Sequence, residues 1–444
     1  MMKPQHSMAG HGSSSRRSPF LTSYALTLAF ITFVSVLYFK DFSSTLHQPF
    51  LSRPPPHRRQ IDRPRAPRHH GGDSNSGDVL PPFAVGAAPA GCDVGQGEWV
   101  YDEAARPWYA EEECPYIQPQ LTCQAHGRPD TAYQHWRWQP RGCSLPSFNA
   151  TVMLEMLRGK RMLFVGDSLL RGQYISLLCL LHRAIPDASK SFETVDSLSI
   201  FRAKDYDATI EFYWAPMLAE SNSDDGVDHR LEDRVIRGAP MNKHSRFWKG
   251  ADVLVFNSYL WWMTGDKIQI LRGADEDMSK DIVEMEAEEA YRLVLHQVVR
   301  WLEGNVDPKN ARVLFVTASP THASSSEWGG EDGGNCYNQT SPVAAADAAS
   351  YRGSTSRRML QVTGEVLAAS QVPVGVVNIT RMSELRRDAH TQVYREQWAQ
   401  PTAEQLAAPR SYADCTHWCL PGVPDAWNEL LYWKLFFPAR DQAI

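Results

Sequence analysis

The 444-residue sequence predicts an α/β fold, a mainly parallel sheet covered by helices on both faces, with a small disulfide-stapled module ahead of it. Three observations carry this reading. Short apolar runs ending in small or polar residues recur between segments of helical periodicity, the pattern of repeated strand-helix units. Four of the eight cysteines, at 92, 114, 123 and 143, crowd into an aromatic stretch too short to build a core of its own. A content of 43% hydrophobic and 22% charged residues is that of a globular chain long enough for one large domain or two.

Taken in order, the first element is an almost unbroken apolar run, Phe20–Phe39, preceded by Arg16-Arg17 and closed by Lys40-Asp41. About twenty such residues span a bilayer and exceed a signal-peptide core. No small-x-small cleavage pattern follows closely, so the run reads as an uncleaved signal anchor, with residues 1–19 as a cytosolic tail. Residues 40–90 are rich in Pro, Arg, His, Gly and Ser and read as a disordered stem, in which His69-His70 is part of a solvated spacer. Charge follows this division. Residues 1–91 hold ten Lys/Arg against four Asp/Glu, although the whole chain carries a formal charge of -6. The remainder is acidic and lacks the basic footprint of a nucleic-acid binder. All eight cysteines and the sequons at Asn149, Asn338 and Asn378 follow the anchor, which predicts a type II protein with its bulk in the secretory lumen of the Golgi.

Residues 91–145 form the cysteine-rich module, where Trp99, Trp136 and Trp138 fill a small core. The larger domain, 146–444, opens with the buried strand R-M-L-F-V-G-D-S from Arg161, followed by a helix from Leu169 to about His182. A-D-V-L-V-F-N-S from Ala251 is a second strand, ending at Asn257. Glu284–Glu303 has helical periodicity, with Ala287, Tyr291, Val294, Leu295 and Val298 on one side. The strand R-V-L-F-V-T-A-S from Arg312, a helix near Ser354–Ala369 and the strand V-P-V-G-V-V-N-I complete the alternation. Sites in such sheets collect beyond the carboxyl ends of the strands, where Ser168 and Asn257 both fall.

A serine at a strand-to-helix junction is commonly a helix cap, so Ser168 needs partners elsewhere to count as a nucleophile. Y-A-D-C-T-H-W-C supplies them: His417 would take the serine proton and Asp414 would fix the imidazole tautomer. A metal site built from Cys415, His417, Cys419 and Asp414 is the rival. An oxidising lumen favours disulfides over thiolate ligands, so no metal and no bound cofactor are expected.

These motifs, with V-F-N-S-Y-L-W-W, S-P-T-H and D-C-T-H-W-C-L-P-G-V-P-D-A-W-N-E-L-L, resemble the plant trichome-birefringence-like family of PC-esterase type. The resemblance covers the chain from residue 91 onward and is nearest to the branch that acetylates xylan. It implies an SGNH-hydrolase-like three-layer α/β/α sandwich behind the N-terminal module. It also implies Ser168, Asp414 and His417 as a catalytic triad, with Arg171 at the oxyanion hole. Physical reasoning adds the free N–H groups and positive dipole end of the helix, with Gly166, Asp167 and Asn257 as further oxyanion or substrate contacts. The disulfides implied are Cys92–Cys143, Cys114–Cys179, Cys123–Cys419 and Cys336–Cys415. Gly172 and Tyr174 depart from the asparagine and tryptophan frequent in the family. The absence of G-x-S-x-G disfavours an ordinary α/β-hydrolase.

The activity implied is xylan O-acetyl transfer to O-2 or O-3, from acetyl-CoA or an acetylated intermediate as co-substrate donor. Trp261, Trp262, Trp328 and His322 are candidates for acceptor contacts. Core filling is expected to claim at least one of the adjacent tryptophans, and a polar structural role His322. The rivals are a polysaccharide acetylesterase with the same triad and a non-catalytic binder of cell-wall polysaccharide.

Overall fold

The computed structural model describes residues 92–437, apart from 228–233, 239–240, 266, 273–281, 345–346, 349–350, 352 and 398. The tail, the apolar run at 20–39 and the stem lie outside the described residues. Among those described, no helix is long and apolar enough to cross a membrane.

The chain begins with strands β1 (Asp93–Tyr101) and β2 (Trp136–Arg141), then α1 (Ala150–Met156), β3 (Arg161–Gly166) and α2 (Ser168–Leu181). Strands β4 (Lys190–Val195), β5 (Leu198–Ala203), β6 (Ala208–Trp214) and β7 (Val235–Arg237) follow, then α3 (Asn242–Trp248). Next come β8 (Val253–Phe256), β9 (Lys267–Leu271), β10 (Ile282–Glu286), α4 (Ala287–Asn305) and β11 (Arg312–Val316). The last part holds α5 (Arg357–Ala368), β12 (Val374–Val377), α6 (Thr380–Glu384), β13 (His390–Gln392), α7 (Ala403–Ala407), β14 (Asp414–Trp418) and α8 (Val423–Phe436).

The central sheet has the order β12-β11-β8-β3-β6-β5-β4. Its first five strands are parallel, and β5 and β4 add an antiparallel edge. Met162 to Val165 of β3 have no exposure at all, which is why this strand is a continuous apolar run rather than an alternating one. From β3 the chain first crosses to β6 on one side and later to β8 on the other. Sheets of this kind have their crevice where the strand order reverses, here at the carboxyl end of β3, where Ser168 begins α2.

Two helix boundaries differ from the periodicity. Glu284–Glu286 pair in register with Lys267–Gln269, so the helix starts at Ala287, because an available strand edge outweighs the helical propensity of glutamate. Helix α5 starts at Arg357, where Ser356 accepts from the N–H of Met359.

The N-terminal module packs directly on the larger domain. Trp99 and Trp138 face each other across the β1/β2 pair with ring centroids 5.6 Å apart. Trp138 donates to the carbonyl of Val94 (2.9 Å), and Trp99 reaches out of the module to the carbonyl of Met382 (2.7 Å). A buried polar cluster extends the junction: Asp425 of α8 accepts from Tyr109 (2.8 Å) and from Ser176 of α2 (2.5 Å). Glu429 of α8 binds Arg106 at 2.6 Å.

All eight cysteines are bridged, as Cys92–Cys143, Cys114–Cys179, Cys123–Cys419 and Cys336–Cys415. Cys415 and Cys419 therefore have no thiolate to offer a metal, and among the described residues no group of His, Cys, Asp and Glu is arranged to hold one. The Cys336–Cys415 bridge ties β14 to a partner 79 positions away. A loop of that size predicts a loss of about 4 kcal/mol in the Cys336→Ser/Cys415→Ser variant, to be read in chemical unfolding.

Candidate active site

The junction from β3 to α2 is set by three consecutive residues. A Cβ on Gly166 would stand 2.5 Å from the carbonyl oxygen of Asn257 and 2.9 Å from Leu170 Cδ2, so only glycine lets the strand pass this close. Asp167 then caps the helix, its Oδ1 accepting from the N–H groups of Leu169 (2.9 Å) and Leu170 (3.4 Å). Ser168 is the first helical residue and does not cap. Its hydroxyl is directed elsewhere.

Its partner is on β14, a short strand paired antiparallel with β13. Extended residues three apart ordinarily face opposite sides. Asp414 overcomes this by accepting two backbone hydrogen bonds on Oδ1, from Thr416 (2.9 Å) and His417 (3.0 Å), which curls the strand start around its own side chain. Oδ2 is then 2.8 Å from His417 Nδ1, and His417 Nε2 is 2.8 Å from Ser168 Oγ. With Nδ1–H donating to the carboxylate, Nε2 is the acceptor and the serine hydroxyl donates to it.

The electrostatics suit that proton arrangement. Burial opposes ionisation of Asp414, but the attraction of His417, its hydrogen bonds and the Arg395 guanidinium hold the carboxyl well below the usual carboxylate range. Arg395 Nε stands 3.5 Å from Asp414 Oδ2, and both side chains are largely buried. Asp167 is the opposite case. Burial lifts it to about 6 against the N–H groups of Leu169 and Leu170 and the charges of His417 and Arg171. Its Oδ2 is buried without a hydrogen-bond partner among the described residues.

Several candidates take other positions. Arg171 is half-buried beside Ser168, its guanidinium 5.5 Å from the Trp214 ring centroid, and burial lowers its proton affinity. The helix N–H groups expected at the oxyanion are partly spent: those of Leu169 and Leu170 serve Asp167. Gly166 is a steric requirement, and its carbonyl accepts from Ala215 (3.0 Å). Asn257 donates its amide to the carbonyls of Val316 (2.9 Å) and Thr317 (3.1 Å), so it fastens the ends of β8 and β11 rather than aiming a donor at the serine.

Trp261 and Trp262 are both core residues. They lie on a 3-10 turn, not a strand, so the two-face alternation that would expose one of them does not apply. Trp261 meets Trp214 edge-on (5.7 Å), and Trp262 packs on Tyr291 (5.2 Å) while donating to Ser258. His322 is fully buried behind the site and cannot touch an acceptor: it donates from Nε2 to the Glu384 carbonyl (2.9 Å), and burial pushes it down to about 4. Its Nδ1 is 2.6 Å from Nε2 of His390, whose Nδ1 is 3.0 Å from the carbonyl oxygen of His417. Trp328 is half-buried, 5.8 Å from His322 and beneath the Arg387 guanidinium.

Sequence reasoning missed Trp214, His390 and Arg395. Trp214 ends the strand beside β3, and the carboxyl-end rule that selected Ser168 would have found it. The other two reach β14 only through the β13/β14 pairing, for which the sequence carries no periodic signal.

Two family models cover this architecture. Residues 145–434 match the PC-Esterase model, described as a GDSL/SGNH-like acyl-esterase family found in Pmr5 and Cas1p. The chain belongs to the PC-esterase family. The preceding residues, 90–144, match the PMR5 N-terminal domain. Among curated PC-esterase relatives, the chain is 74% identical to probable xylan O-acetyltransferase 10 of Oryza sativa subsp. japonica, over 99% of this chain and all of the relative. It is 85% identical to probable xylan O-acetyltransferase 11 of the same plant, over 82% of this chain and 92% of that one. Protein trichome birefringence-like 35 of Arabidopsis thaliana is 48% identical over 77% and 75%.

Asp167 yields a stability prediction for this PC-esterase. Its folded value of about 6 lies above the ordinary 3.8, so the stability tied to its protonated form is complete below 3.8 and is lost as pH rises through 6. Asp167→Asn keeps a capping oxygen without the buried charge. Thermal unfolding should find the variant equal to the parent in acid and more stable at neutral pH, by up to about 3 kcal/mol.

Proposed function

We propose that this protein is a xylan O-acetyltransferase that carries an acetyl group on Ser168. The observation that bears the most weight is the chain of two 2.8 Å contacts from Ser168 through His417 to Asp414. The xylan O-acetyltransferase names of its close relatives support the substrate class.

In the first half-reaction His417 Nε2 takes the Ser168 proton as Oγ attacks the acetyl carbonyl of the donor. The tetrahedral oxyanion lies beside Arg171. Collapse expels the donor's leaving group, which receives the proton from His417. In the second half a xylosyl hydroxyl gives its proton to the same nitrogen as its oxygen attacks the acetyl-serine; collapse breaks the Ser168 ester bond, Oγ recovers the proton from His417, and the acceptor leaves as the O-2 or O-3 ester. Asp414 stabilises the imidazolium formed in both halves and prevents ring rotation. The donor is acetyl-CoA or an acetylated intermediate, and no bound cofactor or metal is required.

The reading places the catalytic domain in the Golgi lumen behind a single-pass type II anchor at Phe20–Phe39. Eight bridged cysteines favour an oxidising compartment. Of the three sequons, Asn149 and Asn338 are exposed, whereas Asn378 is half-buried and its amide nitrogen is 3.2 Å from where a Cβ on Gly95 would stand. Thr380 of that sequon is buried, donating to the Ala318 carbonyl. Peptide mapping after enzymatic deglycosylation should find glycans at Asn149 or Asn338 and none at Asn378 of the folded protein. A glycan at Asn378 would contradict the packing of β1.

Function is tested by incubating the lumenal part with xylo-oligosaccharide and an acetyl donor, and separately with acetylated xylan, with product positions read by NMR. Transfer to the oligosaccharide is expected, and Ser168→Ala should reduce it by about 10³-fold or more. Release of acetate without transfer would make the protein an acetylesterase. Full transfer by Ser168→Ala would remove the serine from the mechanism.

A further inference from the structure

We infer that Arg395 is a positioning residue of the acyl-transfer site, a fixed cation that shares the Asp414 carboxylate with His417 and thereby keeps the imidazole available as a base under mildly acidic conditions. The inference rests on the Ser168–His417–Asp414 reading above and adds a residue to it.

The geometry is specific. Asp414 has four interactions: Oδ1 is filled by two backbone N–H groups, and Oδ2 meets both His417 Nδ1 at 2.8 Å and Arg395 Nε at 3.5 Å. The histidine contact is a hydrogen bond. The arginine contact is too long to be one and acts through charge. Arg395 Nε is itself buried with no hydrogen-bond partner among the described residues, and the side chain is only 12% exposed. An Nε–H held dry in this way, without a bond of its own, is costly unless the guanidinium charge is used. It is held there by the backbone: Gln392 pairs with Asp414 in the β13/β14 ladder, and Arg395 follows three residues later.

The sign of the effect follows from Coulomb's law. A carboxylate beside an imidazole raises the ring's affinity for a proton, and a neighbouring cation offsets part of that pull. Other groups bearing on the pair come from α2 and β13. Asp167 faces His417 from the start of α2, where burial lifts it to about 6, and His390 is kept neutral by burial. Arg395 is thus the cation in contact with the carboxylate itself. Its cost is a weaker stabilisation of the imidazolium during turnover; its gain is a weaker pull of the carboxylate on a proton at the ring before the serine must be activated.

The test uses the full lumenal part with 4-nitrophenyl acetate as acetyl donor, following nitrophenol release over about pH 5 to 8. Arg395→Gln should move the acid limb of the rate profile to higher pH by roughly one unit. Arg395→Lys should restore the limb to within a few tenths of its parent position. Arg395→Met keeps most of the apolar stem without the charge, so it should shift like glutamine and serves as the second neutral variant should glutamine not fold. A uniform loss of rate with the limb unmoved, or a lysine variant that behaves like methionine, would reduce Arg395 to a packing residue and overturn the inference. Ser168→Ala is run alongside. If that variant keeps full nitrophenol release, the triad reading fails whatever Arg395 does, and if it is inactive the Arg395 profiles stand on their own.

Discussion

The hydrogen bond between Ser168 and His417 joins positions 249 residues apart, and much of the fold can be understood as what keeps those two atoms at 2.8 Å. Neither partner is held by local structure alone. The serine is fixed because β3 is fully buried and passes beneath Asn257 at a glycine, after which Asp167 starts the helix. The histidine is fixed because its strand is bridged at both ends, by Cys336–Cys415 and Cys123–Cys419, and paired to β13. Transition-state geometry tolerates little misplacement, so a short strand with two covalent ties is a physically reasonable support for a catalytic base.

Charge near the serine is arranged so that neighbouring carboxyls behave differently. Asp414 has two N–H donors, an imidazole and a guanidinium, and stays ionised. Asp167 has two N–H donors on one oxygen and nothing on the other, and burial lifts it toward neutrality. The distinction arises from partners rather than from residue type. It assigns Asp414 to the imidazole and Asp167 to the helix start, with Arg171 near enough to bear on Asp167's charge.

The N-terminal module acts as a brace. Its tryptophans and Arg106 make contacts with the α6 end and with α8, and Tyr109 shares Asp425 with Ser176 of α2. One buried network thus links the module, the serine's helix and the helix that follows the histidine's strand. The rings that read as acceptor contacts in sequence are largely consumed in the core: Trp261 and Trp262 are buried, and His322 stands behind β14 with His390. Acceptor recognition must therefore draw on other groups around the crevice.

The sequence by itself determined the alternation of strands and helices, the junction at G-D-S and the chemistry of D-x-x-H, because these depend on local periodicity, turn chemistry and residue type. It placed the start of α4 too early, since the pairing of Glu284–Glu286 with β9 is a non-local choice. It also left Asn257 as a possible donor, since only the proximity of β11 shows its amide to be engaged. It expected the core to claim at least one of the adjacent tryptophans, and tertiary packing wound them into a turn that buries both. Arg395 had no signature at all. Its contact with Asp414 exists only because β13 lies beside β14, and strand pairing between segments joined by an irregular loop is decided by the folded whole rather than by either segment.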